Sequence, residues 1–327
     1  MNTMKSRWQC AAVLLGASLT TFNAHAQLAL TTDGINAGFS LSTFYSDPNA
    51  YYGVLGLATA SDGSILATGY ARGQLYKFND VDGQSFGSAV STASLPGTFA
   101  MASAGGKVYA TAGGAYYSVS NSLGLTLLTL TPGVGSSLGL WGNPITGHLL
   151  SASGAGLIDI DPLAGTWKVV GAGGADGVSV SPDGKIAYAE IGGAVLGYNI
   201  ATATLVFNSG ALGHGPDGTG VISGGPLSGD IIVNNNDGTV GLLDPTGANP
   251  YIIIASGGGR GDLVSPDLND GTLFLASANA VERLSCGPGC SIGGPPAIPE
   301  PATYALMIAG LGVVGFMARR GRNQATT

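Results

Sequence analysis

The sequence predicts an all-β fold closed as a six-bladed β-propeller, followed by a single C-terminal transmembrane helix. Three observations carry this expectation. First, a turn marker recurs six times, at Asp62-Gly63, Gly105-Gly106, Thr146-Gly147, Asp183-Gly184, Ser228-Gly229 and Asp270-Gly271, with a mean spacing of about 42 residues. That period suits a blade of four short strands. Second, each marker opens the same kind of run, polar at its start, apolar in the middle and small at its end, as in Ser64-Ile-Leu-Ala-Thr68 and Asp230-Ile-Ile-Val-Asn234. Third, the chain carries 56 glycines and is only 9% charged, yet its large apolar residues come in regular clusters. Disordered chains lack such clusters, so the glycines are read as turns between buried strands.

Taken in order, residues 1–26 form a secretory signal peptide. Lys5 and Arg7 make a basic start, residues 11–19 are apolar, and Ala24 and Ala26 place small side chains at the −3 and −1 positions of a cleavage site. Cys10 departs with this segment, and no cysteine stands at the cleavage point to accept a lipid. Secretion implies the Sec export machinery as a partner.

Residues 27–292 form the propeller ectodomain. A β run at 37–45 precedes the first repeat. Each repeat then supplies the marker run and a second strand, such as Gln74-Leu-Tyr-Lys-Phe78 or Ala280-Val-Glu-Arg-Leu284, and five of the six supply a further strand, such as 125–130 or 251–254. The sixth lacks it, because 286–296 reads as turn residues throughout. The spare run at 37–45 would complete that blade and close the ring, which removes open sheet edges and favours six blades over seven. A β-sandwich or β-solenoid fits less well, since the spacing is too regular for the first and too long for a coil of the second. Ser181-Pro-Asp-Gly184 followed by a strand resembles the repeats of YVTN, NHL and WD40-type propellers.

Cys286 and Cys290 flank Gly-Pro-Gly. In an oxidising compartment this turn-rich loop suits a disulfide; a thiolate metal site would lack a nearby histidine. Residues 293–298 are a Gly/Pro linker. Residues 299–322 are Pro299, Glu300, Pro301, an uncharged run at 302–318, then Arg319, Arg320 and Arg322, with 323–327 as a tail. As a helix the run spans about 25 Å, close to the ~30 Å hydrocarbon core, and the arginines would stay cytoplasmic. Gly310, Gly312 and Gly315 satisfy a dinucleotide-binding spacing, but a membrane segment is the wrong context for it.

The order Pro-Glu-Pro, apolar run, arginine cluster resembles the PEP-CTERM sorting signal of Gram-negative bacteria, which is read by exosortase, a membrane-embedded processing enzyme. The resemblance covers 298–322. It implies that Pro299, Glu300 and Pro301 are the recognition and processing element, that membrane insertion is transient, and that the precursor anchored in the inner membrane yields a cell-surface or extracellular protein. It also implies an association with exopolysaccharide and biofilm material.

Charge narrows the remaining classes. Two of the 12 basic residues lie in the leader and three in the tail, and of the 19 acids only Glu300 lies outside the ectodomain, so that body holds 7 against 18, or −11. It is not a nucleic-acid binder. No catalytic constellation is evident. His148 and His214 read as turn or edge residues. Asp159 and Asp161 share one side of a strand. Asn79-Asp80-Val-Asp82-Gly83 resembles part of a calcium loop, but Phe78 stands at its first ligand position, so structural calcium is a weak expectation. Asn234 to Gly238 is oxygen-rich and reads equally as a hairpin turn. Glu190 and Asn235 fall at the same offset, six residues past their marker glycines, where the other repeats have Gly69, Ala112, Ser153 and Ser277. Six-bladed lactonases hold a channel metal with Glu, Asp and Asn, so these two are the weak metal candidates. The leading expectation is a non-enzymatic scaffold or binding propeller; the alternative is a metal-dependent propeller hydrolase acting on a small molecule or glycan. An exposed stripe of Tyr51, Tyr52, Tyr116 and Tyr117 would favour glycan binding.

Overall fold

A computed structural model describes residues 27–47 and 52–294. The leader with Ala24 and Ala26, Tyr51, and the sorting elements from Pro299 to Arg322 lie outside the described residues. Among the described residues, no helix is long and apolar enough to cross a membrane.

Six antiparallel sheets follow one another around a central axis. The first five blades each take four consecutive strands, for example Ser137–Gly142, Leu149–Ser153, Gly156–Asp161 and Thr166–Gly171 in the third. The first strand of each blade lies innermost, and these inner strands neighbour one another around the whole ring. Blade six has only three local strands, Gly261–Pro266, Leu273–Ser277 and Ala280–Ser285. Its outer strand is Ser40–Ser46 from the front of the chain, paired from Ser40 with Ser285 to Ser46 with Ala280. The ring is therefore closed by sequence-distant pairing, as the spare run required.

Burial explains the strand patterns. Strands such as Ile65–Gly69 and Ile231–Asn235 are buried at every position because a neighbouring blade covers each face. Outer strands such as Thr204–Asn208 are largely exposed. Trp141, Leu150, Ile222, Leu273 and Ile292 share the largest core, where each buried aliphatic side chain contributes roughly 1.5–3 kcal/mol. The marker turns need glycine for their backbone: Gly63, Gly184 and Gly271 have φ of 79°, 71° and 77°, in the left-handed region.

The end of the ring that carries the markers is called lower, and the opposite end, where each blade hands over to the next inner strand, upper. The sequence placed no strand in 286–296. In the structure Cys286 and Cys290 are disulfide-bonded with Cα atoms 5.6 Å apart, and the chain then forms a short strand, Ser291–Ile292, paired with Ser223 and Ile222 at the lower end of an inner strand. A strand of two residues is too short to leave a periodic signal.

Candidate functional site

Inner strands approach one another so closely at the upper end that a side chain would collide. A Cβ on Gly139 would lie 2.1 Å from the Asp176 carbonyl oxygen, one on Gly177 2.5 Å from that of Asp217, and one on Gly218 2.6 Å from that of Asp262. The repetition marks equivalent positions around the ring, and the residue just ahead of each close approach is Leu55, Phe99, Leu138, Asp176, Asp217 and Asp262 in turn. Blades one to three thus give the upper mouth an apolar arc, and blades four to six an acidic one.

The acidic arc is poorly neutralised. Asp217 is 2% exposed; burial, reinforced by Asp262 and Asp176, pushes its carboxyl up to about 7 against the opposing pull of Arg260. Burial likewise lifts Asp262 to about 6. Glu190 accepts a 2.9 Å hydrogen bond from the Gly177 amide through Oε2, while its buried Oε1 has no partner. Its carboxyl is raised well above the usual range, chiefly by burial and secondarily by Asp217. A half-exposed cation opposes Asp217 and Asp262: Arg260 lies 3.5 Å from Asp217, donates to Asn236 and Tyr52, and packs 5.6 Å from the Tyr52 ring centroid.

Tyr52 begins an aromatic arc. It meets Tyr70 edge-on at 6.4 Å, and Tyr70 meets Phe99 edge-on at 5.5 Å. Arg260 and Tyr52 thus join the carboxylates to the aromatic rings on one rim. Carboxylates that hold a proton near neutral pH both donate and accept hydrogen bonds, and ring faces stack on apolar surfaces; together they suit a polyhydroxylated ligand. Below this rim the channel narrows to a void of about 10 Å³ lined in part by Ala100, Gly139, Gly177 and Leu263.

Glu190 therefore reaches the upper mouth, but Asn235 does not join it. The Asn235 amide donates to Thr239 Oγ1 at 3.1 Å and Tyr251 Oη at 2.9 Å within its own blade. Of the tyrosines in that stripe that are described, Tyr116 is buried against Ser151, and Tyr52 belongs to the rim. His214 Nδ1 lies 2.7 Å from Asp237, and His148 Nδ1 lies 3.0 Å from Asp159 with its Nε2 3.7 Å from Asp161. The first pair is at the surface; in the second, His148 reaches the buried Asp159.

Asp80 and Asp82 belong to a lower-end cluster with Asp267 and Asp270. The oxygens of Asp80, Asp267 and Asp270 lie within 4.8 Å of one another, the one group among the described residues with spacing suited to a metal. A guanidinium sits in it: Arg283 contacts Asp82 at 3.0 Å, Asp80 at 2.6 Å, Asp270 at 2.9 Å and Asp267 at 2.5 Å. Despite the cost of burial, hydrogen bonds from Asn269 and Arg283 hold Asp80 below its usual value, whereas burial lifts the fully enclosed Asp267 to about 6.

Sequence reasoning passed over Asp176, Asp217, Asp262 and Arg260. The signal was present, because Asp176-Gly177 and Asp217-Gly218 hold the same dipeptide in consecutive repeats, but Asp-Gly reads locally as a turn.

Residues 297–322 match the PEP-CTERM protein-sorting motif. The chain is thus an exported protein, sorted to the cell envelope by exosortase processing, and the motif implies a C-terminal membrane segment. No curated protein matches the chain in sequence. Solved structures match the fold. A gluconolactonase from Xanthomonas campestris superposes with a TM-score of 0.61 at 14% identity, covering 79% of this chain and 94% of its own. A catalytically inactive virginiamycin B lyase from Staphylococcus aureus, solved with quinupristin, superposes with a TM-score of 0.54 at 12% identity over 76% of this chain and 99% of its own. At such identities the likeness concerns the propeller architecture alone.

Proposed function

We propose that this protein is a non-enzymatic binding propeller of the cell surface or extracellular matrix, and that its upper mouth engages exopolysaccharide. Export would run through the Sec machinery to an inner-membrane precursor, and processing would deliver the folded body outside. One observation carries the binding role: an acidic arc of Asp176, Asp217 and Asp262 faces an aromatic arc of Tyr52, Tyr70 and Phe99 on a single rim, joined by Arg260. Ring faces and hydrogen-bonding carboxylates complement the apolar faces and hydroxyls of sugars.

The test is co-sedimentation of the intact protein, purified in detergent, with the host's extracellular polysaccharide. Tyr70→Ala combined with Asp217→Asn should weaken binding at least tenfold. Retention of full binding by that variant would overturn the assignment.

A second reading, a propeller hydrolase acting on a small molecule or glycan, is favoured by the neighbouring buried carboxyls of Glu190 and Asp217, both raised by burial. The channel metal of lactonase-type propellers does not fit the residues present: Glu190 Oε1 and Asn235 Oδ1 are each buried without a partner, but the equivalent positions elsewhere are Gly69, Ala112, Ser153 and Ser277, which leaves the ring short of ligands. Turnover of lactones or glycans that is lost in Glu190→Gln would favour the hydrolase; binding without turnover would favour the matrix role.

A further inference from the structure

The end of the folded body is bound into the lower mouth. Ile292 is fully buried in the same core as Trp141, Ile222 and Leu273. Its amide donates to the Gly271 carbonyl at 2.9 Å, and the amide of Gly293 donates to that of Val221 at 2.7 Å. Ser223 Oγ donates to the Ser291 carbonyl at 3.0 Å. Gly293 sits where any side chain would collide, a Cβ there lying 2.3 Å from the Trp141 ring and 2.8 Å from Pro266. The Cys286–Cys290 disulfide fastens the preceding loop. The chain therefore leaves the propeller from a fixed point at the lower end of the inner strands, beside a cavity of about 530 Å³ lined by residues that include Asn143, Ile145, Leu268 and Gly293.

Residues 295–301 separate this point from the apolar run at 302–318. At about 3.6 Å per residue, that stretch reaches no more than ~29 Å. The propeller cannot turn over on so short a tether without leading the chain around its own edge. Meanwhile the match at 297–322 requires processing by a membrane-embedded enzyme.

We infer that residues 286–293 are an orienting base, which lays the lower face of the anchored precursor against the lipid bilayer and points the carboxylate and aromatic rim away from it. The lower face approaches the bilayer without inserting, since its turns carry charged pairs, Asp62 with Lys77, Asp183 with Lys185 and Asp270 with Arg283, which are costly to take into hydrocarbon. The upper mouth is then open to partners before processing as well as after.

Single-cysteine labelling of the full chain carrying Cys10→Ser, with the Cys286–Cys290 disulfide intact, tests this in reconstituted vesicles, using a maleimide coupled to a bulky polyethylene glycol. Ala211→Cys reports the upper end, and Ile145→Cys, at a side chain 62% exposed beside the exit point, reports the lower. The lower site should react several-fold more slowly in vesicles and equally fast in detergent. Insertion of a flexible Gly/Ser stretch of about 20 residues after Gly294 should abolish the difference, because such a linker lets the body tumble. Equal rates in vesicles, or a difference that survives the insertion, would overturn the orientation. The inference rests on the sorting assignment, whose own failure would be seen separately as a chain that does not pellet with the vesicles.

Discussion

The two ends of this propeller hold nearly the same inventory of charge and use it in opposite ways. At the lower end Asp80, Asp82, Asp267 and Asp270 surround Arg283, which contacts all of them and stacks over Phe44 and Phe274 at 5.2 and 4.8 Å. At the upper end, beside Asp176 and Glu190, Asp217 and Asp262 share Arg260, which lies 3.5 Å from Asp217 and has a side chain 47% exposed. The lower guanidinium is only 9% exposed, and its site is geometrically saturated. Asp217, Asp262 and Glu190 are buried, under-neutralised and raised in pKa, with the exposed Asp176 beside them. Saturation marks a structural knot, whereas buried charge left without full compensation marks a place kept for something else.

The largest effect should come from breaking the knot. Arg283→Met would leave buried Asp267 and its neighbours without their cation, a loss of about 3–5 kcal/mol. Chemical denaturation at pH 7 should show a clear drop in midpoint. A change below ~1 kcal/mol would mean that the lower cluster does not act as a structural unit.

The upper mouth should respond in the opposite direction. Asp217 has a folded-state pKa raised to about 7, above the ~3.9 of an unfolded carboxyl. Between roughly pH 4 and 7 the folded state therefore binds more protons than the unfolded one, so this group costs nothing in acid and destabilises progressively as pH rises through about 7. Asp262, raised to about 6, adds in the same sense at slightly lower pH. Asp217→Asn should flatten the decline and make the protein more stable than the parent at pH 8, by on the order of 1–3 kcal/mol, while weakening ligand binding. Denaturation curves at pH 4.5 and 8 check the sign. A variant less stable at pH 8 than its parent would place Asp217 among the structural residues.

The architecture was legible from local features, because blades repeat and a marker glycine at positive φ recurs wherever the lower turn is tight. The closing strand Ser40–Ser46 was legible by elimination, since one blade was a strand short. Neither acidic cluster could be read in the same way. Arg283 stands about 200 residues from Asp80 and Asp82, so the pairing that turns an apparent calcium loop into an ion-pair knot exists only once the ring has closed. Asp176, Asp217 and Asp262 meet for the same reason, each arriving from a different blade. The shared offset of Glu190 and Asn235 fixes a strand position but not a rotamer: the Asn235 amide nitrogen turns to Thr239 and Tyr251 and its Oδ1 is buried without a partner. The exit strand Ser291–Ile292 was hidden by its brevity.

The smallest effect on stability should come from Arg260→Ala, and it is the most direct test of the contrast. The side chain is nearly half exposed and its approach to Asp217 is loose, so its removal should cost less than about 1 kcal/mol at pH 7. It nevertheless lowers the carboxyls of both Asp217 and Asp262. Without it both should titrate at higher pH, and the fall of stability that begins above the unfolded value of ~4 should continue to a higher pH, which thermal melts across pH 5 to 9 would register. Binding should weaken too, because Arg260 joins the carboxylates to Tyr52. If Arg260→Ala instead destabilised the fold as severely as Arg283→Met, the two arginines would be doing the same job, and the upper mouth would be a second knot with no claim to a ligand.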